Sequence, residues 1–360
     1  MTEGSTGSET MTTGSQDRWA VRPDGSNWGD FGADDQIGRL NLITPAHRRA
    51  AAAEVREGIA FCLSLPLDCP ANVELHPRRK PPELGWFLRG EDPTMNYPMG
   101  RVAPGQDDVV CDDKAAISLQ FSTQWDSLCH IGALYDGHGD GEREATYYNG
   151  YRANDHIRGP VDHLRGGIAK DGPYGAHALG IETIAETGLQ TRGVMIDLFA
   201  HVGLERVAVG YDRLMRILDA DRVEVGEGDA LCVRTGFDRA LLARYADPAA
   251  PFDQQRCSGL DGGDPLLQRW ITDSGIVAIA SDNEAVELLP TSHVPHGHGT
   301  HIPLHHLCLF KLGIPLGEMF LLSDLADWLR ANGRSRFLFT APPLRLPRAV
   351  GAPVTGVGTV

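Results

Sequence analysis

Three things are scarce in this 360-residue chain, and each scarcity excludes a class of function. No apolar run approaches the ~18 residues that a membrane-spanning helix needs, and the mean hydropathy is -0.23, so a helical membrane protein is excluded. Positive charge is short: 33 Lys and Arg stand against 48 Asp and Glu, a formal net charge of -15, and a nucleic-acid partner would require a basic surface. Closely spaced cysteines are missing altogether. The seven cysteines (62, 69, 111, 129, 232, 257 and 308) form no C-x-x-C pair, and several lie in apolar, strand-like runs. Their scatter suits reduced, buried thiols and a cytoplasmic protein. The first residues also lack the basic start and apolar core of a signal peptide. They are rich in Gly, Ser and Thr, so residues 1–18 are expected to be a disordered leader and residues 19–360 a single domain.

What the chain does have is a central stretch, Ser118 to His130, reading S-L-Q-F-S-T-Q-W-D-S-L-C-H. Ile117, Leu119 and Phe121 alternate with polar residues, which predicts a strand with one buried face. Gln120, Gln124 and Asp126 fall at even spacing and would share a face of an extended chain, with His130 brought back by a turn. A carboxylate and a histidine meeting where a strand ends can hold a metal or move protons; the alternative is a hydrogen-bonded structural cluster. Cys129 beside them reads as a packed side chain rather than a nucleophile.

Elsewhere, Thr44 as N-cap with Pro45 at the first helical position predicts a helix that stops at Gly58. A strand is expected over Phe61 to Leu67. A proline- and charge-rich excursion, Pro70 to Gly105, has the length of a lid. The D-G-H-G-D-G run from Asp136 lacks the acidic positions of a calcium loop and is read as a turn. Thr191 to Phe199 is apolar almost throughout, the mark of a strand covered on both faces. Helices follow at Gly180 to Gly188, at Asp212 to Ala220, where Leu214, Met215, Ile217 and Leu218 share one side, and after Ser323 as N-cap. Further strands are expected at Ala230 to Gly236, Ile276 to Ala280 and Arg336 to Phe339. Short strands interspersed with helices indicate an α/β domain with a mixed sheet.

The central stretch resembles the signature of the cyclase family of metal-dependent hydrolases, which includes kynurenine formamidase, isatin hydrolase and a zinc-dependent dienelactone hydrolase. Against the pattern H-x-G-T-H-x-D-x-P-x-H it keeps Thr123, Asp126 and His130. It departs at Gln120 and Gln124, which replace histidines, at Ser122 for glycine and at Leu128 for proline. The segments G-R-L-N-L-I-T-P, R-G-V-M-I-D, G-E-G-D-A-L-C-V-R-T-G and the closing G-A-P-V-T-G-V-G-T-V are similar to family segments and occur in the family's order.

The resemblance implies a single α/β domain with a mixed sheet or open barrel-like core flanked by helices, of the swivelling β/β/α type. It implies a metal-dependent hydrolase opening a cyclic amide, lactone or formamide, with a cyclase or dehydratase without a tight metal, or a non-catalytic binding protein, as alternatives. The implied ligands are Asp126, Gln120 and Gln124, closed by a second segment that pairs a histidine with a glutamate twelve residues on, here His306 and Glu318. His130, with Asp126, would carry acid/base catalysis. Trp125, Tyr147, Trp86 and His301 are expected to contact the substrate. The cofactor would be a divalent metal, Mn²⁺ or Zn²⁺; glutamine oxygens are harder donors than imidazole and favour the former. The histidine-rich run Pro295 to His306 mimics the signature at G-T-H (299–301) but has no carboxylate, and could supply replacement ligands such as His298 or His301. A homodimer or homotetramer acting on a small molecule, with neither nucleic acid nor membrane as partner, completes the expectation.

Overall fold

The computed structural model describes residues 18–71, 73–166, 172–290 and 299–360; residues 1–17 of the expected leader, and His296 and His298, lie outside them. Nine strands form the main sheet: β1 (Ala60–Cys62), β2 (Gln124–Asp126), β3 (Gln190–Asp197), β4 (Ala230–Arg234), β5 (Ala278–Ser281), β6 (Leu316–Glu318), β7 (Arg336–Thr340), β8 (Gly351–Pro353) and β9 (Val357–Thr359). Their spatial order is β1-β9-β7-β3-β4-β5-β6-β2-β8, and the sheet curls into a half-barrel. β3 to β6 run parallel, and every other junction is antiparallel.

The apolar run at the centre of the sheet is buried on both faces, as its lack of alternation predicts. Val194 and Ile196 of β3, with Leu231 and Val233 of β4, face one core cluster. That cluster takes Leu214 and Ile217 from the helix Tyr211–Asp221 and Leu267 and Ile271 from the helix Pro265–Ser274. Met195 and Cys232, one residue out of phase, face the other cluster, with Phe337, Phe339 and Leu325 and Leu329 of the helix Ser323–Ala331. Besides a four-residue helical turn at Phe199–Val202, the α-helices among the described residues are α1 (Pro45–Ala52), α2 (Ile181–Glu186), α3 (Tyr211–Asp221), α4 (Phe237–Ala246), α5 (Pro265–Ser274), α6 (Pro303–His305) and α7 (Ser323–Ala331). α6 runs directly into a π-helical segment, His306–Leu312.

Several boundaries differ from expectation for local reasons. Thr44 caps α1, accepting the His47 N–H at 3.3 Å, but the helix ends at Ala52 rather than near Gly58. Ser323 is the first residue of α7 and not its cap. The orphan N–H groups of Leu322 and Ser323 are taken instead by the Asp238 carboxylate of α4, at 2.9 and 2.8 Å. The strand expected from Ile117 does not form. Ser118 Oγ accepts the Lys80 N–H, Gln120 O accepts from Arg79 Nη1, and Phe121 N–H closes a turn on Ser118 O, so these groups are satisfied without a ladder. Pairing begins at Gln124.

One contact fixes the end of the π-helical segment. Gly38, at φ +54°, lies so close to Gly313 that a Cβ on it would stand 2.2 Å from Gly313 O. Arg39 N–H donates to that same oxygen, and its guanidinium reaches the last carbonyls of α5. Neither the close approach nor the positive φ tolerates a side chain. Gly38→Ala is therefore expected to destabilise the fold by about 2 kcal/mol, read as a lower denaturant midpoint at constant m-value. An unchanged midpoint would show that this contact does not hold the segment.

Candidate active site

The register of β2 against β6 brings two acids together. Glu318 lies opposite Gln124 and Leu316 opposite Asp126, so Gln124, Asp126 and Glu318 share one face of the sheet. Gln124 Nε2 donates to Glu318 Oε2 at 2.7 Å. Gly351 of β8 borders Asp126 from the other side; a Cβ there would stand 2.7 Å from Gln120 Nε2 and 3.5 Å from Asp126 Oδ1. Glycine at this position leaves room for the Gln120 amide, whose Nε2 is buried without a hydrogen-bond partner among the described residues.

His305, at the end of α6, completes the group. Its Nε2 is 3.4 Å from Glu318 Oε1, and its Nδ1 is 2.8 Å from Oε1 of a third buried acid, Glu287. One ligand atom from each of Asp126, His305 and Glu318 lies within 4.8 Å of the others, and all three residues are buried. Atoms that each stand ~2.0–2.6 Å from one ion are spaced like this. Both oxygens of Asp126, and Gln124 Oε1, are buried without a hydrogen-bond partner among the described residues. Buried carboxylate oxygens are rarely left so, and an ion is the partner such a set fits. The donors are mostly oxygen with one imidazole, a hard set.

Electrostatics agree with the geometry. Burial, aided by the charge of Glu318, pushes the Asp126 carboxyl up to about 6, although His130 pulls the other way. For His305 burial acts to lower the pKa, but the hydrogen bonds to Glu287 and Glu318 outweigh it and raise it to about 10. Without a cation, a proton on His305 compensates its flanking acids.

His305, Glu318 and Gln120 line the floor of a cavity of about 350 Å³, and Asp126 is buried just outside that lining. Leu75, Phe121, Ile131 and Leu289 give it apolar walls, and Arg79 and Glu284 add charge at its side. His130 also lines it, with Nε2 3.7 Å from Asp126 Oδ1 and 21% of its side chain exposed. A small molecule with an acyl group could sit here between an acid-lined floor and a histidine.

Of the residues singled out from sequence, Asp126, Gln120, Gln124, Glu318 and His130 come together. His306 does not join them. Successive helical residues point about 100° apart, so when His305 faces Glu318 its neighbour must face elsewhere. The His306 ring packs on Phe310 at 4.9 Å, and burial, with Lys311 nearby, lowers its pKa to about 4. It lines a separate cavity of about 1060 Å³, together with the exposed His301. Trp125 is fully buried in the core with Phe320 and Phe339, because it alternates with Gln124 and Asp126 to the opposite face. Tyr147 packs on Gly132 and does not line the acid-floored cavity. Trp86, 53% exposed, lies on the ribbon Glu83–Trp86 paired with Asp113–Ala116, outside that lining. Burial pushes the Cys129 thiol up to about 12, unlike a nucleophile. Asp136 accepts three backbone N–H groups from Gly139, Asp140 and Gly141, a closed turn. His305 and Glu287 were missed: the histidine run was visible, but nothing in it marked which ring faces the acids.

A family model described as "Putative cyclase" matches residues 61–288. Among solved structures, one of a novel cyclase is similar at 28% identity and a TM-score of 0.68, covering 93% of this chain and 99% of its own. Isatin hydrolase A from Labrenzia aggregata, bound to benzyl benzoate, shares the fold at 13% identity and a TM-score of 0.53, over 86% of this chain and 94% of its own. Isatin hydrolase A from Ralstonia solanacearum does so at 13% identity and 0.51, over 88% and 97%. No match was found among curated proteins.

The unpartnered acid gives a stability prediction. Asp126 has a folded pKa above its unfolded value, so its ionisation opposes folding. That cost is absent below about pH 4, grows as the pH rises towards 6 and is complete above it, on the order of 3 kcal/mol. With both proteins metal-free, Asp126→Asn should melt higher than the parent above pH 6 and alike near pH 4. Mn²⁺ should raise the melting temperature of the parent and not of the variant. A variant that melts lower at pH 7.5 and gains equally from Mn²⁺ would remove Asp126 from the ligand set.

Proposed function

Because the chain belongs to the cyclase family, we propose that it is a metal-dependent hydrolase opening a cyclic amide, lactone or formamide bond of a small molecule. The observation that carries this reading is the convergence of Asp126, His305 and Glu318, with both Asp126 oxygens unpartnered among the described residues, beside a cavity that His305 and Glu318 line. Fold neighbours that bear the name isatin hydrolase support the same reaction class. The cavity's size and its mixed apolar and polar walls suit a ring-sized ligand with polar groups.

The metal would be held by Asp126, His305 and Glu318, with the Gln124 amide oxygen as a further donor. When bound, a divalent metal supplies an acidified water and a Lewis acid for the scissile carbonyl. The chain's own residues do the rest. Asp126 and Glu318 accept the O–H groups of the attacking water and so orient it. His130, beside Asp126, accepts the proton of the water and returns it to the leaving nitrogen or oxygen, the task for which imidazole is suited near neutral pH. Leu75, Phe121 and Ile131 exclude bulk water and hold the body of the substrate.

A panel of cyclic amides, lactones and N-formyl arylamines tests the class. Hydrolysis should vanish on chelation and return with Mn²⁺; protein that binds no metal and opens none of them would fit the binding-protein alternative. His130→Asn should lower turnover per metal-loaded molecule by about 10²–10⁴-fold with metal content unchanged. A lower melting temperature with full turnover would make His130 structural. Gln120→His together with Gln124→His should raise affinity for Zn²⁺, since imidazole suits that borderline metal better than an amide oxygen. Unchanged Zn²⁺ affinity in the folded double variant would mean that neither amide faces the ion.

A further inference from the structure

Glu287 lies outside the ligand set just described, yet its carboxylate has no cationic partner besides His305 among the described residues. It is 1% exposed and accepts three kinds of donor: the Leu304 N–H at 3.1 Å, the His305 N–H at 3.1 Å and His305 Nδ1 at 2.8 Å. The first two cap α6, as any acid at a helix start can. The third is different in kind. In the neutral ring that an ion would require, this bond keeps the proton on Nδ1 and leaves Nε2 directed at Glu318, 3.4 Å away.

The backbone that delivers Glu287 is strained. Val286 sits at φ +58°, a region that a β-branched residue adopts only when its surroundings enforce it. Asn283 enforces it: its Oδ1 accepts the Val286 N–H at 2.7 Å and its Nδ2 donates to Val286 O and Ser258 O. The backbone carbonyl of the same Asn283 accepts the N–H of Met319 at 2.9 Å. Met319, which follows Glu318, is also at positive φ, +54°. One residue thus ties together the two strained turns that carry the two carboxylates on either side of His305.

We propose that Glu287 is a positioning residue that fixes the tautomer and tilt of the His305 ring for a metal ion, and that Asn283 and the strained Val286 turn exist to aim it. This rests on the reading of Asp126, His305 and Glu318 as a metal site. Glu287→Gln keeps the size but removes the charge and puts an N–H₂ group among donors. Affinity for Mn²⁺, read by titration against the paramagnetic resonance of free aqueous Mn²⁺, is expected to fall by about 10–100-fold in protein with native near-ultraviolet dichroism. His305→Ala should weaken binding as well, and in that background Glu287→Gln should cost nothing further. A residue that merely caps α6 would lower the melting temperature and leave Mn²⁺ affinity intact. Should Glu287→Gln not fold, Glu287→Asp, which keeps the charge and shortens the reach, carries the test with the same expected direction. Parent protein that binds no Mn²⁺ would overturn the metal reading and this inference together. Parent and Glu287 variants that bind Mn²⁺ equally would overturn this inference alone.

Discussion

Three carboxylates, Asp126, Glu287 and Glu318, stand around a single imidazole with almost no access to water. An isolated buried charge costs several kcal/mol, so this arrangement survives only if the fold holds each acid where something compensates it. Glu287 takes backbone N–H groups, Glu318 takes the Gln124 amide, and His305 bridges the two. Asp126 is the exception, with both oxygens unmatched. The position of this acid, beside the cavity that His305 and Glu318 line and close to both of them, is what turns a costly cluster into a site.

Sheet and helix contribute differently to that precision. β2 and β6 set Asp126 and Glu318 by register, and a slip of one residue would exchange Asp126 for Trp125 and fill the floor with an indole. The Trp125 side of the sheet is packed against Phe320 and Phe339, which pins the register from behind. His305 is set by helical phase instead. Pro303 opens the helix, the wider π turn follows, and Gly313 with Gly38 ends it, so the phase is locked at both ends. π segments occur often at functional sites, and here one begins immediately after the histidine that faces the acids.

The same difference explains what could be read from the residues alone. Asp126, Gln124 and His130 were legible because their spacing is local and the strand parity that joins the first two is fixed by covalent geometry. Trp125 obeys that parity too, and reading it as a substrate contact disregarded the alternation used for its neighbours. The paired central strands and the amphipathic helix α3 followed from periodicity, since both cores draw on residues of the expected phase. His305 was not legible. In H-H-L-C-L-F two adjacent histidines differ only in helical phase, which depends on how Gly313 meets Gly38, a contact 275 positions apart along the chain. Glu287 carried no signal at all, because its role comes from a positive-φ valine that no propensity would place there.

The glutamine at position 124 follows from the same geometry and need not be a degraded histidine. A carboxamide carries its donor and its acceptor side by side on one carbon, about 2.2 Å apart, so it can donate to one group and offer oxygen to another just beside it. Gln124 does the first with Glu318 and leaves Oε1 buried and unpartnered. In imidazole the two nitrogens point away from each other, so a ring turned to satisfy Glu318 would direct its other nitrogen away from the floor. Exchanging histidine for glutamine therefore trades a softer donor for one that holds Glu318 and faces an ion at once, which suits a floor made mainly of carboxylate oxygen.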